Sequence, residues 1–316
     1  MQVSSRIKPR RLRPGATLGI IAPASPGDAQ VAAAGLELLR AKGFSPQVGR
    51  SCDQKAGFLS GPDRERAADI HAMFADPNID GILCLRGGYG TMRLLDLLDY
   101  ELIRTHPKVF VGYSDITALH TAIGQRSGLV TFHGPMVASD MGHEMPDYTW
   151  NGFSRAVMND QPLGQLSNPA CTAPPSWLAA GKARGILAGG NLSLIVSTLG
   201  TPYELDTAGK ILCLEEVGEA PYRLDRMLTQ LLLAGKLQAA AGIVFDMCAG
   251  CNDADDTPGF TTEEVLQERL GQLPVPVLSR FCFGHTSEKA TLPFGIAAEL
   301  DSAANSFTVT ETATIN

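Results

Sequence analysis

The sequence has few aromatic residues and no long apolar run. Phe, Trp and Tyr make up 6% of its 316 residues, whereas 44% are hydrophobic in the wider sense. The longest apolar stretch, residues 186–199, is interrupted by glycine, asparagine and serine, whereas a membrane-spanning helix needs roughly 18 to 20 apolar residues. A basic excess is also absent, because the formal net charge is −7. These absences argue against a membrane protein and against nucleic acid as a main partner.

The first residues do not have the pattern expected of a secretory signal. Basic residues precede the apolar run Leu18–Ala22, but this run ends at Pro23, whereas a secretory signal needs about 7 to 15 apolar residues. We therefore interpret Leu18–Ala22 as the first strand of the fold, and we expect a cytoplasmic protein.

The cysteines do not form the pattern of a disulfide framework. They are seven in number, an odd count, and most lie in apolar, strand-like segments. Such scatter predicts buried thiols in a reducing compartment. Cys248 and Cys251 form one C-x-x-C, but it has no second pair and no neighbouring histidine, and it follows a predicted strand. We therefore expect neither a metal site nor a redox site there.

The sequence does contain an alternation of strand and helix signals. Short apolar runs bounded by glycine, proline and capping residues recur through residues 1–138, and this alternation predicts a parallel sheet with helices on both faces. Residues 139–182 show weak periodicity and are interpreted as a connecting segment. Residues 183–316 carry further strand signals, so the sequence predicts an α/β protein with a second domain.

The most informative motif is Gly112-Tyr113-Ser114-Asp115, which places a serine between an apolar strand and a helix. A hydroxyl on such a tight turn is held clear of the backbone, and the first N–H groups of the helix point at whatever its oxygen attacks. Ser114 is therefore a candidate nucleophile for acyl transfer. The alternative is an ordinary helix N-cap.

A serine nucleophile needs a base within hydrogen-bond reach. His120 follows Ser114 by six residues on the same predicted helix, about 240° around its axis, so it cannot face the serine. Two candidates remain open, because His133 follows a predicted strand and His285 follows a glycine in an apolar segment.

The base in turn needs a group that orients it, and an acidic pair ends the apolar strand at residues 211–214. Side chains alternate between the two faces of a strand, so only one of Glu215 and Glu216 can belong to a site. The pattern alone does not decide between them.

Loops at the carboxyl ends of parallel strands form the ligand crevice. Three segments qualify: Ala22–Gly27, Arg86–Gly90 and Gly112–Asp115. The glycine-rich segment Arg86–Gly90 lacks the G-x-G-x-x-G spacing of a dinucleotide site, and we expect no cofactor.

Several of these segments, taken together and in order, resemble one known family of proteins. The segments are Arg86–Gly90, Gly112–Asp115, Gly134–Met136, Gly189–Leu192, Leu214–Glu216, Pro221–Arg223, Arg226–Leu228 and Phe283–His285. They resemble the LD-carboxypeptidase family of serine peptidases, which includes muramoyl-tetrapeptide carboxypeptidases and microcin C self-immunity peptidases. The resemblance implies a Rossmann/flavodoxin-like N-terminal domain that carries the nucleophile elbow, a β-rich α/β C-terminal domain, and a homodimer.

The resemblance also implies roles for individual residues. In the matching positions the nucleophile is Ser114, the general base and acid is His285, and the residue that holds the imidazole is Glu215. Backbone N–H groups of Gly88 and Asp115 are the implied oxyanion hole, which agrees with a glycine turn beside a nucleophile elbow.

The implied activity is hydrolysis of an L,D-amide bond through an acyl-enzyme, which releases D-alanine from a cytoplasmic murein tetrapeptide in peptidoglycan recycling. Arg86 is the candidate for binding the free carboxylate of the substrate, with an ion pair that holds the loop as the alternative. A second possibility is an immunity peptidase that cleaves aminoacyl or peptidyl nucleotide conjugates, with Trp150 and Trp177 as candidate aromatic clamps. A third is a non-catalytic protein that binds a small acidic ligand at a helix N-terminus.

Overall fold

The computed structural model describes residues 6–170, 172–251 and 259–316. The chain divides into two compact units. The N-terminal unit extends to Gln161 and includes the later segments Thr291–Gly295 and Thr312–Asn316. The C-terminal unit comprises Pro162–Ala290 and Ile296–Glu311.

The strands are short and the helices of moderate length. The strands are β1 Thr17–Ile21, β2 Ser45–Val48, β3 Gly81–Cys84, β4 Val109–Gly112, β5 Thr131–His133, β6 Gly164–Leu166, β7 Ser176–Ala179, β8 Lys182–Asn191, β9 Lys210–Glu215, β10 Gly242–Phe245, β11 Val277–Ser279, β12 Leu292–Phe294, β13 Ala297–Asp301 and β14 Ser306–Val309. The helices are α1 Ala29–Ala41, α2 Asp63–Ala75, α3 Tyr100–Thr105, α4 Thr117–Arg126, α5 Asp147–Met158, α6 Leu192–Ser197, α7 Pro221–Leu233, α8 Lys236–Ala239 and α9 Thr262–Leu270. Short 3-10 turns occupy Arg50–Asp53, Thr91–Leu97 and Ser114–Ile116, and a π turn occupies Val137–Met141.

The N-terminal unit is built on one sheet with the strand order β12-β5-β4-β3-β1-β2. All neighbouring strands are parallel except β12, which runs antiparallel to β5. Every residue of β3 and β4 is buried, which explains why both appear in the sequence as continuous apolar runs. The predicted parallel sheet is confirmed, and its carboxyl edge carries the loops after β1, β3 and β4.

Helix α1 shows how local sequence signals define these elements. The Asp28 side chain accepts hydrogen bonds from the backbone N–H groups of Gln30 and Val31, which caps the helix at its N-terminus. The chain leaves the helix through Gly43, whose φ of +86° lies in the region that favours glycine.

The C-terminal unit contains a larger sheet with the order β6-β14-β13-β8-β9-β10-β11-β7. Its centre, from β8 to β11, is parallel, and the flanking strands pair antiparallel. Apolar side chains of α7 and α9, among them Leu228 and Leu266, pack on this sheet in one core cluster. The predicted second, β-rich α/β domain is thus confirmed.

The predicted connecting segment, residues 139–182, has more regular structure than its weak periodicity indicates. It contains α5, β6 and β7. Helix α5 is clearly amphipathic, because it buries Phe153, Ala156 and Val157 on one face and carries polar residues elsewhere. The helical period is therefore present in the sequence, and the prediction of weak periodicity is wrong for residues 147–158.

The cysteines depart from expectation at one place. Cys248 and Cys251 form a disulfide, so the prediction that all the cysteines are thiols is wrong for this pair. The cysteines at 52, 84, 213 and 282 are free, as predicted, whereas Cys171 lies outside the described residues. Within the described ranges, no helix combines the length and apolar character needed to cross a membrane.

Candidate active site

Ser114 lies on a strained turn directly after β4. Its φ of +64° is in the left-handed region, which a residue with a Cβ rarely adopts. Gly112, at the end of β4, allows the turn to close, because a Cβ there would lie only 2.9 Å from Ile116 Cγ1. The chain then passes through the turn Ser114–Ile116 into α4. Strain of this kind is typical of functional sites, and it presents the half-buried hydroxyl at the carboxyl edge of the sheet.

The glycine turn after β3 packs directly on this serine. A Cβ on Gly87 would lie 2.9 Å from Ser114 Cβ and 3.0 Å from Ser114 Oγ, so only glycine permits this approach. Gly88 has a φ of +109°, and a Cβ there would collide with Ser25 Oγ. Both glycines of the predicted oxyanion turn are therefore required by close backbone packing, and Gly87 is the one in contact with Ser114.

Ser25, in the loop after β1, ties this glycine turn in place. Its hydroxyl accepts a hydrogen bond from the backbone N–H of Tyr89 at 3.1 Å, and its own N–H donates to the carbonyl of Gly87 at 3.3 Å. In the sequence, Ser25 is recognisable only as part of the loop Ala22–Gly27. Its signal, a serine just beyond an apolar strand, is the same one that singled out Ser114.

Two buried side chains, those of Arg66 and Asp115, also hold these loops through hydrogen bonds. Arg66 of α2 is fully buried, and its Nη1 donates to the carbonyls of Pro23 and Gly90, which belong to the loops after β1 and β3. Asp115 Oδ2 accepts the backbone N–H of Thr91 at 2.9 Å. Burial raises the pKa of Asp115, and the hydrogen bonds from Thr91 oppose that rise. Hydrogen bonds thereby connect the loops after β1, β3 and β4, the last of which carries Ser114.

Arg86 begins the glycine turn and is half-buried. Its Nη1 donates a long hydrogen bond of 3.4 Å to the carbonyl of Pro26, and its Nε is buried without a hydrogen-bond partner. Among the described residues no carboxylate pairs with it, so the alternative of an ion pair that holds the loop is not supported. Its guanidinium retains donors that an anionic group could use.

In the C-terminal unit, Glu215 and His285 form a hydrogen-bonded pair. His285 Nδ1 donates to Glu215 Oε2 at 2.7 Å, and the side chain of Glu215 is fully buried whereas that of His285 is 19% exposed. Burial alone would lower the pKa of His285, but the hydrogen bond and the charge of Glu215 raise it above its ordinary value. A histidine in this arrangement is a stronger base and has a fixed tautomer.

Glu216 faces the opposite side of β9. Its carboxylate accepts hydrogen bonds from Asn191 Nδ2, from the backbone N–H and hydroxyl of Ser193, and from the backbone N–H of Val217. It thus binds the start of α6, whereas Glu215 binds the histidine. The structure separates the two glutamates that strand alternation alone leaves equivalent.

Asp246 is a buried carboxyl group beside this pair that the sequence analysis did not single out. It follows β10 directly, is 1% exposed, and accepts the backbone N–H of Phe283 at 3.2 Å. Burial and the nearby charge of Glu215 raise the pKa of Asp246 to about 6. The available signal was an acidic residue at the end of an apolar strand, the same signal that marked Glu215 and Glu216 as a candidate pair.

The other histidine candidates occupy different surroundings. His133 lies on β5, is fully buried, and contacts the rings of Tyr113 and Phe294. His120 Nε2 lies 2.8 Å from the carbonyl oxygen of Gly112, and burial lowers the pKa of His120 to about 4. Both are part of the core of the N-terminal unit. In the portion of the chain that the structure describes, no cluster of histidine, cysteine or acidic residues could hold a metal ion.

The two units match two recognised domains. Residues 18–134, which include Ser114, match the family model described as the LD-carboxypeptidase N-terminal domain, and residues 184–300, which include Glu215 and His285, match the LD-carboxypeptidase C-terminal domain. The chain belongs to the LD-carboxypeptidase family of serine peptidases. The resemblance of the separate motifs is therefore confirmed at the level of whole domains.

Individual members of the LD-carboxypeptidase family align with nearly the whole chain. A probable murein peptide carboxypeptidase of Bacillus subtilis (strain 168) is 41% identical over 300 residues, which cover 95% of this chain and 93% of that protein. The crystal structure of a muramoyltetrapeptide carboxypeptidase from Oxalobacter formigenes has a TM-score of 0.83 at 29% identity and covers 93% of this chain and 99% of its own. The wild-type apo structure of the microcin C7 self-immunity protein MccF has a TM-score of 0.90 at 26% identity, with coverage of 98% and 100%.

Proposed function

We propose that this protein is a serine carboxypeptidase that releases the terminal D-alanine of a murein tetrapeptide by hydrolysing an L,D-amide bond. The observation that carries the proposal is the hydrogen bond from His285 Nδ1 to Glu215 Oε2 at 2.7 Å. It engages one ring nitrogen with a buried carboxylate, so proton transfer falls to Nε2. The strained turn at Ser114 supplies the proposed nucleophile. The assignment is supported because Ser114, Glu215 and His285 lie within the two domains that match the family.

The reaction proceeds in two stages. Ser114 attacks the amide carbonyl carbon while His285 Nε2 accepts its hydroxyl proton, and the backbone N–H groups of Gly88 and Asp115 stabilise the negative charge on the carbonyl oxygen. The C–N bond then breaks, and His285 gives the proton to the departing amine of D-alanine. Water, deprotonated by His285, hydrolyses the remaining ester and restores the Ser114 hydroxyl.

Arg86 binds the free carboxylate of the terminal D-amino acid in this proposal. The support is its position at the start of the glycine turn, together with a buried Nε that has no hydrogen-bond partner. A carboxylate accepts two parallel hydrogen bonds from a guanidinium, which also fixes the orientation of the residue that leaves.

The decisive experiment measures D-alanine release from a murein tetrapeptide by the wild-type protein and by Ser114→Ala. We expect release by the wild type, and a loss of at least about 1,000-fold in the variant, because the residual rate comes from binding alone. Ser45→Ala, on the edge strand β2, is the matched control and retains full activity. Equal rates in wild type and Ser114→Ala would exclude Ser114 as the nucleophile.

A second candidate substrate is an aminoacyl nucleotide, and the similarity in structure to MccF favours it. Such a substrate needs an aromatic clamp for its base. Trp150 packs against the rings of Phe44 and Phe153, whereas Trp177 lines a cavity of the C-terminal unit with Phe281. Cleavage of an aminoacyl sulfamoyl nucleotide without D-alanine release would assign this activity, and turnover of neither substrate would support a non-catalytic binding protein.

We further propose that the protein acts in the cytoplasm as a homodimer. The resemblance to the family supports both statements. Sedimentation velocity across a tenfold range of concentration tests the dimer, which predicts a single species of twice the chain mass. Fractionation of the source cells tests the location.

A further inference from the structure

The Glu215–His285 pair is not isolated, because a second carboxyl group is packed behind it. Asp246 follows β10, and its Oδ1 accepts the backbone N–H of Phe283. The backbone N–H groups of Met247 and Gly284 also favour the charged form of this carboxyl group, but its Oδ2 is buried and has no hydrogen bond of ordinary geometry among the described residues. A buried carboxyl oxygen held this weakly is costly.

Glu215 shows the same feature on its other oxygen. Glu215 Oε2 accepts His285 Nδ1, but Oε1 is buried without a hydrogen-bond partner. The two carboxyl groups meet at Gly284. A Cβ placed on Gly284 would lie 2.5 Å from Asp246 Oδ2, 2.7 Å from Glu215 Cβ and 2.9 Å from Glu215 Oε2. Glycine at this position therefore lets both carboxyl groups pack against the residue that precedes His285.

Among the described residues, few ionisable groups lie around Asp246 and the Glu215–His285 pair. Besides these three residues they are Arg280 and Lys289 on the segment after β11, and Glu263 on α9. Burial, with the charge of Glu215 added to it, raises the pKa of Asp246 to about 6. When Asp246 is ionised, its charge in turn favours the protonated form of His285.

We propose that Asp246 is a positioning residue of the reaction, and that its carboxyl group acts through Glu215 and Gly284 to hold His285 and to strengthen it as a base. The inference rests on the proposed roles of Glu215 and His285. Asp246 touches neither substrate nor the reacting atoms. It adds negative charge behind the imidazole, which helps the ring to accept the proton of Ser114.

The test compares Asp246→Asn with wild type, because asparagine keeps the shape and the acceptor for Phe283 but removes the charge. The first readout is the pKa of His285, measured by NMR titration of the full chain, with its signal assigned by its loss in His285→Gln. We expect this pKa to fall by roughly half to one pH unit. The matched control is Asp225→Asn, which removes a carboxylate paired with Arg269 elsewhere in the C-terminal unit. This variant leaves the pKa of His285 unchanged.

The second readout is the pH profile of kcat/KM for D-alanine release. In Asp246→Asn the acid limb moves to lower pH by the same amount, and kcat on the plateau falls several-fold because His285 is a weaker base. A uniform loss of rate with an unchanged limb and an unchanged pKa of His285 would reduce Asp246 to a packing residue and overturn the inference.

A second variant and a measurement without substrate make the test decisive. If Asp246→Asn does not fold, Asp246→Ala, which only removes atoms, is titrated instead with the same expected fall in the pKa of His285. The NMR titration needs no substrate, so its result stands apart from the proposed function. A wild-type protein that releases no D-alanine would contradict that function alone, whereas an unchanged pKa of His285 would contradict the inference alone.

Discussion

Glu215 and Glu216 are adjacent at the end of β9, but their carboxylates have different surroundings. Glu216 is surrounded by donors from Asn191, Ser193 and Val217, and both of its oxygens accept hydrogen bonds. Glu215 accepts one hydrogen bond, from His285. A carboxylate saturated by backbone and amide donors stabilises the fold, whereas one committed to a histidine modifies the chemistry of that ring.

The variants Glu215→Gln and Glu216→Gln should therefore fail in different ways. In Glu215→Gln the amide favours the wrong tautomer of His285, so kcat for D-alanine release falls by about 100-fold or more while stability changes little. In Glu216→Gln the amide NH₂ is placed against donors of Asn191 or Ser193, which costs about 1–3 kcal/mol of unfolding free energy. Urea unfolding together with kcat measures both, and each variant is the control for the other. Loss of kcat in Glu216→Gln and loss of stability in Glu215→Gln would instead assign the catalytic role to Glu216.

The choice between these glutamates lay beyond the sequence pattern for a physical reason. Strand alternation predicts correctly that the two side chains point to opposite faces. Which face holds the histidine depends on the path of the chain after β11, and residues 70 positions apart form the contact between Glu215 and His285. Only the family resemblance selected Glu215 in advance.

At the scale of elements, three loops at the carboxyl edge of the N-terminal sheet are joined to each other. The loop after β1 holds the loop after β3 through Ser25, and Arg66 of α2 binds the carbonyls of Pro23 and Gly90 in the same two loops. The loop after β4 joins them through Asp115 and Thr91. These connections give the backbone N–H groups near Ser114 a fixed direction, as an oxyanion hole requires.

Ser25→Ala tests whether this connection matters for catalysis. The substitution removes the acceptor for the N–H of Tyr89, so the glycine turn gains freedom, and we expect kcat to fall by about tenfold with little change in KM. The unfolding free energy should change by no more than about 1 kcal/mol, because one hydrogen bond near the surface is lost. Ser45→Ala is again the control. A rise in KM at constant kcat would indicate that Ser25 serves substrate binding instead.

Continuous apolar strands were predicted well, whereas one amphipathic helix and the buried charged residues were not. The apolar runs of β1, β3, β4 and β10 are all visible in the sequence, because buried parallel strands need continuous apolar residues. Helix α5 was missed although its sequence is amphipathic, because the proline, glycine and asparagine residues of its segment were given more weight than its helical period. Arg66 was missed because nothing in a local pattern separates a buried charged residue from an exposed one. Asp246 does end an apolar strand, as Glu215 does, but no motif of the family resemblance includes it.

At the scale of the whole molecule, His120 in the N-terminal unit and Asp246 in the C-terminal unit are two buried groups whose pKa depends on folding, and they act in opposite directions. Burial lowers the pKa of His120 in the N-terminal unit to about 4, so the unfolded chain binds a proton more readily and acid destabilises the fold. Burial raises the pKa of Asp246 in the C-terminal unit to about 6, so the folded chain binds the proton more readily and acid stabilises it. In the wild type these two effects largely cancel between pH 7.5 and pH 4.5.

Removing either group should expose the other. Between pH 7.5 and pH 4.5 each titration is worth about 2 kcal/mol of unfolding free energy, from the difference between the folded and ordinary pKa values. On acidification, the unfolding free energy of His120→Gln should therefore rise by about 2 kcal/mol relative to that of wild type, whereas that of Asp246→Asn should fall by about as much. Urea unfolding at the two pH values measures this, and titrating groups that are not coupled to the substituted residue cancel in the comparison. In Asp246→Asn the lower pKa of His285 adds to the loss of stability in acid. If the units unfold in separate steps, each variant shifts only the step of its own unit. If instead the unfolding free energies of all three proteins change equally with pH, neither side chain titrates as its burial requires.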